Sequence, residues 1–242
     1  MWVVFKKEIR SFLGSLIGYI VMAVFLIISG LFLWLIKDNS ILELGVGSLQ
    51  VMFNIAPYLL IFLVSAITMR SLSEERRLGT IETLTTKPIS DSAIILGKFL
   101  AAVALIAFAL LPTGLYVYTI QELLVEGQSL DNGALIGSYF GLLLLATSYA
   151  AIGLFASSLT DNQIISLIIS MALCFFWYGI LGLLGDLKWL AEIGKSLEWF
   201  SLDFHYRSIS RGVLDTRDVV YFVGFAAVFL GSTKLVFESR KW

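Results

Sequence analysis

Residues 132–185 read NGALIGSYFGLLLLATSYAAIGLFASSLTDNQIISLIISMALCFFWYGILGLLG, and in that whole stretch Asp161 is the only charged side chain. A bilayer core about 30 Å thick is crossed by about 20 residues of helix, so a single helix over this stretch would be far too long. Ser157, Ser158, Thr160, Asp161 and Asn162 supply turn-favouring chemistry near its middle. The stretch therefore predicts two membrane crossings joined by a tight turn.

Working outward, further charge-free runs occur at 11–36, 44–69, 99–121 and 219–233. The last continues in apolar character to Phe237 if Lys234 snorkels to the interface. The expectation is an all-α integral membrane protein of six transmembrane helices. Its predicted parts are an interfacial elbow at 1–11, spans at about 12–36, 49–69, 99–121, 133–158, 163–185 and 219–237, a cytoplasmic segment at 70–98 and an outer segment at 186–218. Composition agrees: of 242 residues 58% are hydrophobic and 14% charged, with a mean hydropathy of +0.90. The run from Ser11 exceeds a signal-peptide core, so it reads as a retained span.

Charges cluster between the runs and read as loop markers. They form no continuous basic stripe, which excludes a nucleic-acid partner and leaves the lipid bilayer as the polar surface met by the chain. With both termini cytoplasmic, the inner face holds eleven Lys and Arg residues and the outer face six. The 122–131 loop, with three acids and no base, suits the outside. Cys174 is the only cysteine, so neither an intrachain disulfide nor a multi-cysteine metal site is available.

Three segments beside the spans have helical periodicity. Trp2, Phe5, Ile9 and Phe12 oppose Lys6, Lys7 and Arg10, as in a helix lying in the interface. Leu190, Ile193, Leu197 and Phe200 repeat likewise in the outer segment, giving an amphipathic piece that is either re-entrant or interfacial. Over 71–86, Ser71 and Glu74 form a predicted capping box ahead of Leu78, Ile81 and Leu84. Small residues at four-residue steps, Gly14 and Gly18, then Gly133, Gly137 and Gly141, are candidates for close helix packing. Pro57 and Pro112 interrupt spans, and their kinks either gate a path or fit neighbours.

Catalytic chemistry is missing from this pattern. The predicted span interiors hold no ionisable group, against a proton relay or an intramembrane hydrolase. Gly97-Lys98 has Ser92 for the first glycine and Phe99 for the following Ser or Thr of a nucleotide-binding loop, and Gly194-Lys195-Ser196 has Trp189 for the first glycine. His205 is the only histidine and has too few neighbouring ligands for zinc, so alanine there is expected to leave the fold intact. No catalytic, cofactor or metal residue is assigned.

The segment MRSLSEERRLGTIETLTTKPIS at 69–90, followed by Gly97-Lys98, resembles the first cytoplasmic loop of ABC-2 type transporter permeases. FHYRSISRGVLDTRDVVY at 204–221 is similar to the stretch before the last span of that family. With its opening FKKEIRSF at 5–12 and Ile17-Gly18-Tyr19, the whole chain looks most like the gliding-motility-associated permease subunit of Bacteroidetes. A permease for nitrous oxide reductase maturation is the alternative. The resemblance implies a six-span subunit in the bacterial cytoplasmic membrane, paired with a second permease copy and two separate ATPase subunits. It assigns Glu74, Glu75, Arg76, Gly79, Thr80 and Glu82 to a coupling helix on which the ATPase docks. For the gliding subfamily it adds a membrane-anchored companion with a large extracytoplasmic domain. A passive membrane scaffold is the reading from another class.

Overall fold

A computed structural model describes residues 1–35, 49–80, 89–123, 130–185, 194 and 198–239, and those residues form helices without strands. The elbow is α1 (Trp2–Leu13), followed by α2 (Leu16–Trp34) and α3 (Gln50–Thr68). A short α4 (Ser73–Arg77) precedes α5 (Asp91–Leu110), which passes through a 3-10 turn at Leu111–Thr113 into α6 (Gly114–Leu123). Next come α7 (Asn132–Leu159) and α8 (Gln163–Phe175), the latter continuing through a π-helical turn at Phe176–Ile180 into α9 (Leu181–Gly185). The chain closes with α10 (Leu202–Ile209) and α11 (Thr216–Glu238). Six stretches are long and apolar enough to cross a membrane. The α7–α8 turn falls at the expected place, where Asn162 Oδ1 accepts from Ile164 N at 2.9 Å to cap α8.

The third span departs from the charge-free rule. Its helix begins at Asp91 and carries Lys98 within it, so that charge does not mark a loop.

At the centre stands α7, which packs against α3, α5, α8, α10 and α11 and is the most enclosed of the six candidate spans. Its sequence permits this because its buried faces are rich in Gly, Ala and Ser, which let backbones approach where no aqueous hydrophobic effect drives helices together. A Cβ on Gly153 would stand 2.0 Å from Thr68 Oγ1 of α3, and one on Gly141 would stand 2.3 Å from Ile209 Cγ2 of α10. Gly137 meets the Gly212 backbone, where φ is +85°. Gly18 receives the Phe12 ring of the elbow, whereas Gly14 and Gly133 meet atoms of their own helix cap and no neighbouring helix.

Both prolines are absorbed by the fold in different ways. Pro112 falls in the 3-10 turn between α5 and α6. Helix α3 runs through Pro57, whose missing N–H would otherwise bond to the carbonyl four residues earlier, that of Phe53. Tyr206 of α10 donates its hydroxyl to that carbonyl at 2.9 Å, so the freed acceptor becomes a tether between α3 and the outer segment.

The two ends of the bundle differ. At one, α10 closes over the starts of α3, α7 and α11. At the other, α1 seats on α5, while Phe237 packs with Leu72, Ile94 and Ile95. The described parts of both chain ends therefore lie at the α4 end.

Because the group opposing Gly137 is backbone, Gly137→Leu is expected to destabilise the protein by at least about 1–3 kcal/mol through overpacking. Thermal unfolding in detergent reads this. An unchanged midpoint would show that Gly137 faces a void.

Candidate functional site

The segment after α3 was expected to form a helix over 71–86 with its own capping box. Among the described residues of that segment, 71–80, the first helix covers Ser73–Arg77, with Leu72 at the N-cap and no cap from its own side chains; 81–86 lie outside the described residues. The cap is supplied from α7 instead: Ser157 Oγ accepts from Leu72 N at 2.9 Å and Ser73 N at 3.0 Å, and donates to Met69 O. The predicted partners do other work, Ser71 offering its carbonyl to Lys98 at 2.6 Å. The helix ends at Gly79, whose φ of +66° is a left-handed conformation that glycine adopts without a Cβ penalty.

Beneath α4 lies an ionic cluster built by three elements. Lys98 of α5 is fully buried and spends its three donors on Glu8 Oε1 of α1 at 2.7 Å, Glu75 Oε1 of α4 at 3.0 Å and the Ser71 carbonyl. Lys7 of α1 donates to the same Glu75 oxygen at 2.7 Å. Burial pulls the Lys7 ammonium down, but the hydrogen bond to Glu75 and the charges of Glu75, Glu8 and Glu74 hold it above the ordinary lysine value. Gly97 makes the cluster possible, because a Cβ there would stand 2.9 Å from the Met1 carbonyl of the seated elbow.

The six residues assigned by resemblance separate in this geometry. Glu75 turns inward and is buried; Glu74 and Arg76 are half-buried; Gly79 and Thr80, with Arg77 and Leu78, face outward. Glu82, and the apolar Ile81 and Leu84, lie outside the described residues. The outward turn is thus locked to α1 and α5 through its inner side.

A family model described as ABC-2 family transporter protein matches residues 2–242. The chain belongs to this family. No curated relative matches it. Family members are membrane permeases that work with an ABC ATPase and are generally not themselves catalytic, which accords with a site made of ion pairs and caps.

At the opposite end of this ABC-2 permease, His205 holds a structural place. Its Nδ1 lies 2.7 Å from Asp218 Oδ1 of α11 and its Nε2 lies 3.0 Å from the Trp199 carbonyl, with the ring stacked on Tyr221. Among the described residues no cluster of potential ligands could hold a metal. Against the expectation that alanine at His205 spares the fold stands the His205–Asp218 contact, whose loss strands a largely buried carboxylate at Asp218. The outer periodicity at Leu190, Ile193 and Leu197 lies outside the described residues, and Phe200 is exposed.

Sequence reasoning missed Lys98 and Ser157. Lys98 had a signal, since Ser90 and Asp91 begin a helix that must contain it. Ser157 had none.

Lys98→Met removes the buried ammonium shared by Glu8 and Glu75, leaves Glu75 to Lys7 alone, and is expected to cost about 3 kcal/mol in unfolding. Adding Glu8→Gln and Glu75→Gln should restore most of it. Equal stability of the single variant and the native protein would remove the cluster from its role.

Proposed function

We propose that this permease receives an ABC ATPase on the outward turn at 77–80 with Glu74 and Arg76, and passes the ATPase's motion to its spans through the buried cluster. The observation that carries this is the three-way contact of Lys98 with Glu8 and Glu75 and the Ser71 carbonyl. A force on α4 meets α1 and α5 at once, because Glu75 is ion-paired to Lys7 of α1 and to Lys98 of α5, and displacing it weakens the pairing of both. Leu78 is 61% exposed and supplies an apolar contact on an otherwise polar turn. Glu82 is placed on the same surface by resemblance alone, and Glu75 acts from behind it.

On this reading the end carrying α1, α4 and the chain termini is cytoplasmic, as the excess of basic residues supports, and the outer segment faces away from the cytoplasm. The complex has two ATPase copies and a second permease copy. Similarity of the opening segment and of both loops to the gliding-motility permease supports work on the bacterial envelope in gliding, with a membrane-anchored companion, at the inner membrane. The nitrous oxide reductase permease and the passive scaffold are the competing assignments.

Glu74→Lys combined with Leu78→Asp changes the outer side of the turn and leaves Lys98 paired. Copurification of a Walker-motif ATPase from native membranes is expected to fall about tenfold or more, with insertion and unfolding midpoint unchanged. Unaltered copurification would move the docking site elsewhere. Recovery of envelope proteins with no ATPase would favour the scaffold.

A further inference from the structure

Along α3, Gln50, Asn54 and Tyr58 recur at four-residue steps and so lie on one face. Asn54 is exposed and Tyr58 is 53% exposed, while the intervening Met52, Phe53, Ala56 and Pro57 are buried. Gln50 Nε2 donates to Asn54 Oδ1 at 3.1 Å. Among the described residues the Asn54 amide N–H groups and the Tyr58 hydroxyl have no hydrogen-bond partner. The Tyr58 ring meets Tyr178 of α8 edge-on at 5.4 Å.

The depth of this polar face sets it apart. Arg70 lines the same cleft as Lys7 and Ser11 of the elbow, and an amphipathic elbow lies at the membrane surface. Measured from Arg70 at about 1.5 Å per residue, Tyr58 stands about 18 Å and Asn54 about 24 Å into a hydrocarbon core about 30 Å thick. The helices on either side, α2 and α8, turn apolar groups outward at that depth: Ile27 and Leu31 on one, Phe175 and Phe176 on the other. Lipid tails offer an amide or a phenol no partner, whereas water does.

We infer that this face of α3 is the wall of a water-filled path, set between the apolar ridges of α2 and α8. Amide and phenol groups, with the half-exposed Phe62 ring one step further on, line it without any charged side chain. Such a lining suits a neutral solute rich in hydroxyl or amide groups rather than an ion. Toward α4 the face closes, because residues 63–68 are all buried. The path therefore reaches from the far end to about mid-membrane and stops above the end braced by the ionic cluster. Its opposite wall rests on the second permease copy proposed above.

Single cysteines test this in isolated native membranes, the full chain being purified after labelling; the native chain, whose only cysteine is the buried Cys174, sets the background. Asn54→Cys and Tyr58→Cys are expected to react with membrane-impermeant thiosulfonates at least about tenfold faster than Ile27→Cys and Phe175→Cys, since only a hydrated thiol ionises readily. Thr216→Cys, exposed at the far end, supplies the rate in open water. Cationic and anionic reagents should keep the same ratio of rates at 54 and 58 as at 216. Rates at 54 and 58 no faster than at 27 and 175 would overturn the inference, and a disulfide joining two Asn54→Cys chains would then identify a sealed contact between copies. A ratio changed more than about tenfold in favour of one charge would overturn the neutral lining. Asn54→Cys carries the test alone if Tyr58→Cys fails to fold. The mass of the complex from the same membranes reads the copy number separately, so a labelled path in a single-copy complex would fault the second copy and not the path. No step needs the ATPase, so failure leaves the docking proposal standing.

Discussion

A lysine ammonium withdrawn from water must place three N–H donors, and at Lys98 each placement recruits a different part of the cytoplasm-facing end proposed for this permease. Glu8 brings the elbow, Glu75 brings the helix after the second span, and the Ser71 carbonyl fixes the turn between them. Desolvating such charges is costly, and the geometry offsets that cost only when every member is present. The cluster therefore acts less as a source of net stability than as a constraint on arrangement. Gly97 and Ser157 serve the same constraint, one by admitting the elbow and the other by capping α4 from α7.

The far end is held by different chemistry. There the backbone itself provides the anchor: Pro57 leaves the Phe53 carbonyl without its helical donor, and Tyr206 fills the vacancy. The Ser138 hydroxyl donates to the Ser210 carbonyl at 2.8 Å, and His205 with Asp218 ties α10 to the last span. Between these ends α7 contributes mainly smallness, through Gly137, Gly141 and Gly153. A helix with side chains that small can touch six others, and any rearrangement of the spans has to move around it.

The contrast between the ends bears on function. An ionic cluster responds to forces on any of its members, whereas the contacts between elements at the far end rest on hydrogen bonds and stacked rings, with the Arg207–Asp203 ion pair inside α10. On the proposed coupling, a permease driven from one side by a separate ATPase needs a stiff receiving end, and the packing of the elbow on α5 with the ion pairs to α4 is what serves as one.

Hydropathy and turn chemistry determined the six candidate crossings, the elbow helix and a tight turn that falls at 160–162, because each depends on residues close together in the chain. Periodicity in Trp2, Phe5, Ile9 and Phe12 was enough to predict α1 as an amphipathic helix. It was not enough to cap α4, since the capping Ser157 is 85 residues from Leu72. Nor did it show that Lys98 reaches Glu8 across 90 residues, or that Tyr206 answers Pro57 through Phe53 across 153. Sequence alone fixed what each segment does with water and lipid, because transfer free energy accumulates locally along the chain. Which polar groups satisfy one another was decided only by the tertiary structure, because a buried donor takes whichever acceptor packing brings within about 3 Å.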